Sequence, residues 1–307
     1  MNHASNIRSK STVNLRGCLP VAALLASCAA ALVSPSANAD LTYSRYDSST
    51  SFAAIVTDMP DFDQKWEGFT GSTGRAIEAP LPNDGNMYCG AAAAANVYAY
   101  IATHGYSSLI TVPVLLEPTG NLWNDALISL WDKNLVGNIG SDIGVDAEDG
   151  TGPEAIEEFF RRALPSSDFS SDTNWNATFP EVGKELTDGN LVIVHRGRYR
   201  LNSSGKLARV NGHHVTAVGA LAGSSSFLWV RNSNDVVDST YQQSAFQTHG
   251  YKMTDKATAV TGGSYATVRW EMTPTDGGTD GGSAGDRLFL ESYVVVRPKA
   301  GVVLRKP

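Results

Sequence analysis

Cysteine, positive charge and long apolar runs are all scarce in this 307-residue chain. Lys and Arg number 24 against 31 Asp and Glu, a net charge of -7, which argues against nucleic acid as a partner because phosphate backbones select basic surfaces. The longest apolar run, Leu19 to Val33, is too short and too rich in alanine to read as a membrane span. No internal repeat is visible, which sets aside solenoid and propeller architectures. Cysteine occurs only at Cys18, Cys28 and Cys89.

What surrounds the apolar run gives it a different meaning. Arg8, Lys10 and Arg16 precede it with no acidic residue, and it closes on Ser34 to Ala39, whose Ala37-Asn38-Ala39 ending has the small-residue pattern of a secretory cleavage site. Residues 1–39 are therefore expected to be a signal peptide and 40–307 a single domain, secreted or periplasmic. Leu25-Ala26-Ser27-Cys28 offers a second route, lipidation of Cys28 and an outer-membrane lipoprotein. Cleavage before Asp40 removes three basic residues and no acidic one, leaving 21 against 31 and a net charge of -10. It also removes Cys18 and Cys28, so the mature chain keeps Cys89 alone and has no intramolecular disulfide. An unpaired thiol in an exported protein needs a reason, either burial as a small hydrophobe or chemistry.

Along the mature chain, residues 40–85 read as an irregular segment, with Pro60, Pro80 and Pro82 among many Ser, Thr, Gly and Asp residues. From Cys89 an Ala-rich, proline-free stretch predicts a long central helix ending at His104-Gly105. Further helices are expected over Leu122 to Leu135, Glu154 to Ala163 and Glu181 to Leu186. Strands are expected over Leu191 to His195, His214 to Val218, Phe227 to Val230, Tyr265 to Met272 and Leu288 to Val296. Helices first and strands second give an α+β expectation with a mainly antiparallel sheet. The Gly/Asp stretch from Asp276 to Asp286 reads as a hairpin loop.

A thiol becomes a nucleophile as thiolate, and a helix amino terminus with an imidazole close by favours that form. Cys89 has the first of these by position. Among the histidines, His104 reads as a helix cap, while Gly212 followed by His213-His214 and a core strand places an imidazole at a strand mouth. Asn232, with Asp235 behind it, lies where the next strand ends and is a candidate to orient that ring. For an oxyanion the candidate amides are Asn83, Asn86 and Gln64.

Asn86-Met87-Tyr88-Cys89-Gly90, the Ala-rich helix, Gly212-His213-His214 running on to Gly219, and Val230-Arg231-Asn232-Ser233 together resemble the papain-like cysteine peptidase superfamily, in particular its bacteriocin-leader-peptidase-like branch. The specific motifs cover only a small part of the chain. Counting six residues back from Gly219 matches His213 to that family's base, with His214 a close rival. Ala91 stands where the branch usually has proline, and Asn83 where it has glutamine. The resemblance implies a papain-like fold and a catalytic set of Cys89, His213, Asn232 and Asn83. It implies an exported thiol peptidase or amidase that cleaves a peptide or protein substrate through a thioester, with no metal or cofactor. The alternatives are transglutaminase-like acyl transfer and an inactive papain-like protein that binds peptide or glycan.

Overall fold

A computed structural model describes residues 41–305 apart from 63, 65–80, 110–134, 147, 234–247, 262–264 and 276–284. The expected signal peptide, the helix over Leu122 to Leu135 except its last residue, Asp235 and most of the Gly/Asp stretch lie outside the described residues. The described residues all fall within one compact unit, Ser36–Pro307.

The chain opens with a hairpin, β1 (Leu41–Ser48) and β2 (Ser51–Val56). Helix α1 spans Cys89–Thr103 and α2 spans residues 135–142. They are followed by α3 (Pro153–Ala163), β3 (Phe169–Trp175) and α4 (Phe179–Thr187). Six strands complete the fold: β4 (Leu191–Leu201), β5 (Leu207–Ala222), β6 (Phe227–Arg231), β7 (His249–Thr261), β8 (Thr267–Pro274) and β9 (Arg287–Pro298).

These last six strands close on themselves. β5 pairs with β4, β4 with β9, β9 with β8, β8 with β7, β7 with β6, and β6 returns to β5, every pairing antiparallel. Closure satisfies the backbone edges that an open sheet would expose. β2 adds to β5 and carries β1 outward, while β3 adds to β9.

The expected fold class, a papain-like α+β arrangement with a central helix opened by Cys89 and packed against a mainly antiparallel sheet, is therefore corrected to a closed six-stranded β-barrel with added strands and short helices. The membership inferred from the resemblance falls with it. The reason lies in β7, whose polar sequence reads as irregular yet joins β8 to β6 and shuts the ring. Residues 41–56, expected to be irregular, form β1 and β2 apart from the turn between them.

The local sequence explains the helices. Ala91 to Ala95 are fully buried, so α1 is held by close packing of small side chains from all sides. It ends at His104, whose ring stacks on Tyr100 and whose Nδ1 lies 2.7 Å from the Tyr100 carbonyl. Helix α3 buries Ile156, Phe159 and Phe160 on one face, with Arg161 and Arg162 in its last turn where cations suit the helix dipole. Helix α4 starts on a Thr178–Glu181 capping box. One buried side chain, Asn96, ties three segments: its carbonyl accepts from the Phe62 N–H at 2.8 Å and its amide donates to Thr216 on β5 at 3.1 Å.

Candidate functional site

Residues that pair directly across neighbouring strands project from the same face of a sheet. Trp175 on β3 pairs with Ser292 on β9, Ser292 pairs with His195 on β4, and His195 pairs with His214 on β5. The four side chains thus form a row across four strands, about 14 Å long at the usual strand spacing. Helix α1 lies over this face, since Asn96 bonds Thr216 and the Cys89 sulfur sits 3.9 Å from His214 Nδ1. Helix α3 also covers it, through Ser171, which donates to the Glu157 carbonyl at 3.0 Å.

Two irregularities in the barrel aim further groups at the row. A bulge between His195 and Arg196 leaves Glu291 as an extra residue of β9, and another beyond Arg198 leaves Val210 extra on β5. Glu291, fully buried, then receives both Arg209 donors at 2.8 and 2.9 Å, the Tyr199 hydroxyl, and an approach from His195 Nδ1 at 3.4 Å. Gly197 and Gly212, paired across β4 and β5, provide the room. A Cβ on Gly197 would stand 2.0 Å from Glu291 Oε1, and one on Gly212 would stand 2.3 Å from Arg209 Nη2 and 2.4 Å from His195 Nε2. Gly212 is thus an interior residue of a 16-residue strand, where the sequence suggested a strand mouth.

The expected catalytic residues divide between the two faces of β5. His213 and His214 are adjacent in a strand and so point to opposite sides. His214 faces the Cys89 thiol, stacks on His195 at 4.4 Å, and is the thiol's side-chain hydrogen-bond partner among the described residues. His213 Nε2 lies 2.7 Å from Asn232 Oδ1. The imidazole at the sulfur and the imidazole held by Asn232 are therefore different residues. Asn83 sits exposed in a 3-10 turn at φ +54°, where its carbonyl accepts the Asn86 N–H at 3.0 Å. Gln64 is buried and engaged, donating to the Asn86 carbonyl at 3.2 Å and accepting from the Ser233 hydroxyl at 3.1 Å.

Electrostatics point the same way. Burial pushes the Cys89 thiol above its ordinary value; backbone N–H groups of His214 and Gly90 and the charge of Arg196 oppose this without overcoming it. Burial holds His213 well below the usual imidazole range, reinforced by Arg196, and holds His214 down likewise, reinforced by His195 and Arg209. His195 is lowered to about 3, first by burial and then by Arg209. At neutral pH the thiol and its imidazole are both uncharged, the reverse of a thiolate–imidazolium pair.

The expected Cys89–His213–Asn232 triad is thus not assembled, and an exported peptidase or amidase working through it is withdrawn, together with the thiol-hydrolase assignment. Transglutaminase-like acyl transfer required the same triad, and the inactive papain-like binder required the same fold. Among the described residues no group of three or more His, Cys, Asp or Glu side chains is placed to hold a metal ion, and no helix is long and apolar enough to cross a membrane. No protein-family model matches the chain, and no curated protein sequence matches it.

The row itself was missed in the sequence. Its one legible signal was the pair of glycines flanked by His, Arg and Tyr in Gly197 and Gly212, which marks a place where backbone gives way to large polar side chains. One of its buried groups, His214 Nε2, stands without a hydrogen-bond partner among the described residues, on a residue 2 % exposed. Tyr265 hydrogen-bonds the Ser292 side chain, and its ring packs 5.8 Å from that of Trp175.

Proposed function

We propose that this chain is an exported binding protein that holds a small carboxylate-bearing ligand on the row running from Trp175 to His214, with Cys89 as a protonated lining group and no covalent step. The observation that carries this reading is His214 Nε2, a buried polar atom of the row without a hydrogen-bond partner among the described residues. Because burial favours the thiol over the thiolate and the neutral imidazole over its cation, S–H is the donor and His214 Nδ1 the acceptor. The proton of His214 then sits on Nε2. That N–H is a donor, and a buried donor left unmet costs about 1–3 kcal/mol. A carboxylate supplies acceptor oxygens of the right kind.

Isothermal titration of the purified chain with acetate tests the reading. His214→Asn should weaken binding about tenfold, the effect of one charge-assisted hydrogen bond. Acetate affinity unchanged in the variant, or no binding to the wild-type chain, overturns it. Export is checked separately by sequencing the amino terminus of the secreted product: a start at Asp40 supports cleavage after Ala39, while a lipidated start at Cys28 replaces it with the anchored form.

A further inference from the structure

We infer that Cys89 and His214 form a two-coordinate site for a soft monovalent cation, copper(I). The Cys89 sulfur lies 3.9 Å from His214 Nδ1, a loose separation for a hydrogen bond. First-row ions bond thiolate sulfur and imidazole nitrogen at about 2.0–2.3 Å, so two such bonds held nearly in line span about 4 Å. The two ligand atoms already stand at that separation. The His214 ring is 2 % exposed and makes no other hydrogen bond among the described residues, so nothing else there competes for its Nδ1 lone pair. Gly90, the next residue of α1, keeps the space beside that nitrogen clear, since a Cβ there would stand 3.5 Å from Nδ1 and 2.5 Å from Thr151 Cγ2. Cys89 as a residue is only half-buried, which gives an ion a way in.

Charge and ligand count both select the ion. When copper(I) replaces the thiol proton, one S–Cu and one N–Cu bond form, the S–H bond breaks, one proton leaves for solvent and no oxidation state changes. The site is neutral before and after. Burial disfavours a bare thiolate and an imidazolium, and the copper-bound pair contains neither. A divalent ion would add a positive charge near Arg196 and Arg209, whose charges already act on Cys89 and His214, while Glu291 is committed to Arg209 at 2.8 and 2.9 Å. It would also need more ligands, and among the described residues no third His, Cys, Asp or Glu completes the pair. His195, stacked on His214 at 4.4 Å, has its Nδ1 3.4 Å from Glu291 and its Nε2 3.5 Å from Arg209. Sulfur and imidazole nitrogen without a carboxylate are a soft donor set, which suits copper(I). This site goes beyond the carboxylate reading, which uses the opposite ring nitrogen, Nε2, so either can fail without the other.

Anaerobic titration of the reduced, purified chain with copper(I), in competition with the coloured chelator bathocuproine disulfonate, tests the site. One equivalent should bind. Cys89→Ser should lower the affinity about a hundredfold and His214→Gln about tenfold, while His213→Gln, on the opposite face of β5, should stay within about twofold. X-ray absorption of the copper-loaded wild-type chain should show one sulfur and one nitrogen neighbour, a readout that does not depend on any variant folding. Failure of the wild-type chain to compete for copper(I), an affinity indifferent to His214→Gln, a copper shell of sulfur alone, or zinc(II) held more tightly than copper(I) would each overturn the assignment.

Discussion

Acidification from pH 7.5 to pH 5 should destabilise this protein through its buried imidazoles, and His195 allows the effect to be worked out. Its folded value lies at about 3, against 6.5 for the ordinary side chain, and its side chain is 12 % exposed, so solvent screens it little. A base whose folded value is depressed gains stability from remaining neutral. That contribution is fully present above the unfolded value near 6.5 and is lost as pH falls toward 3, because the unfolded chain takes up the proton first. At pH 5 the loss from His195 is about 2 kcal/mol, growing toward roughly 5 kcal/mol near pH 3, a large share of a typical 5–15 kcal/mol of stability. His213 and His214 act in the same direction. Carboxylates such as Asp255 and Glu271, held low by arginine partners, lose their contribution only as pH falls below the ordinary carboxylate range, so the interval from pH 6.5 to 5 belongs to the histidines. Urea unfolding at half-unit pH steps gives the proton uptake directly from the slope. The wild-type chain should take up more than one proton on unfolding at pH 5, and His195→Gln should lower that number by about one. A slope near zero in the wild-type chain, or one that the variant leaves unchanged, would refute the assignment of a neutral, buried cluster.

Other consequences follow from the same geometry. Cys89 should alkylate slowly with iodoacetamide at pH 7, and its rate should rise only above the ordinary thiol value of about 8.5. A midpoint well below pH 8 would restore an activated thiol and contradict the electrostatics described here. Gly197→Ala and Gly212→Ala each drive a Cβ to within 2.5 Å of the Glu291, Arg209 and His195 side chains, so each should cost about 1–3 kcal/mol in denaturant unfolding. Gly205→Ala serves as the comparison: it has open space but a φ of +73°, and should cost only the backbone strain. Glu291→Gln leaves the Arg209 guanidinium without its counter-charge and should destabilise by about 3 kcal/mol; a variant within 0.5 kcal/mol of wild type would show that the pair is not electrostatically important.

Much of the local structure was legible from residue order. The Ala-rich run gave helix α1 with Cys89 in its first turn and His104 as its cap, and the apolar, β-branched segments gave the cores of β4, β5, β6, β8 and β9. These signals are local: helix propensity, small-residue packing and β-branched runs act over a few residues. Asn232 and His213 do meet, because neighbouring antiparallel strands bring those positions together.

Sequence by itself determined where α1, α3, α4 and the apolar strands lie, and that Cys89 opens a helix. Tertiary structure alone decided that the sheet closes. β7 carries the pattern His249 to Thr261, largely polar and half exposed, and only its partners on either side make it a strand. Tertiary structure also decided which histidine meets the thiol. A one-residue step along a strand reverses the face, so His213 and His214 are nearly interchangeable in sequence and opposite in space. Finally, the row from Trp175 through Ser292 and His195 to His214 joins residues up to 117 positions apart between Trp175 and Ser292, and no local pattern marks them as neighbours. Strand pairing sets their adjacency, and two bulges and two glycines admit the charged side chains that hold them in place.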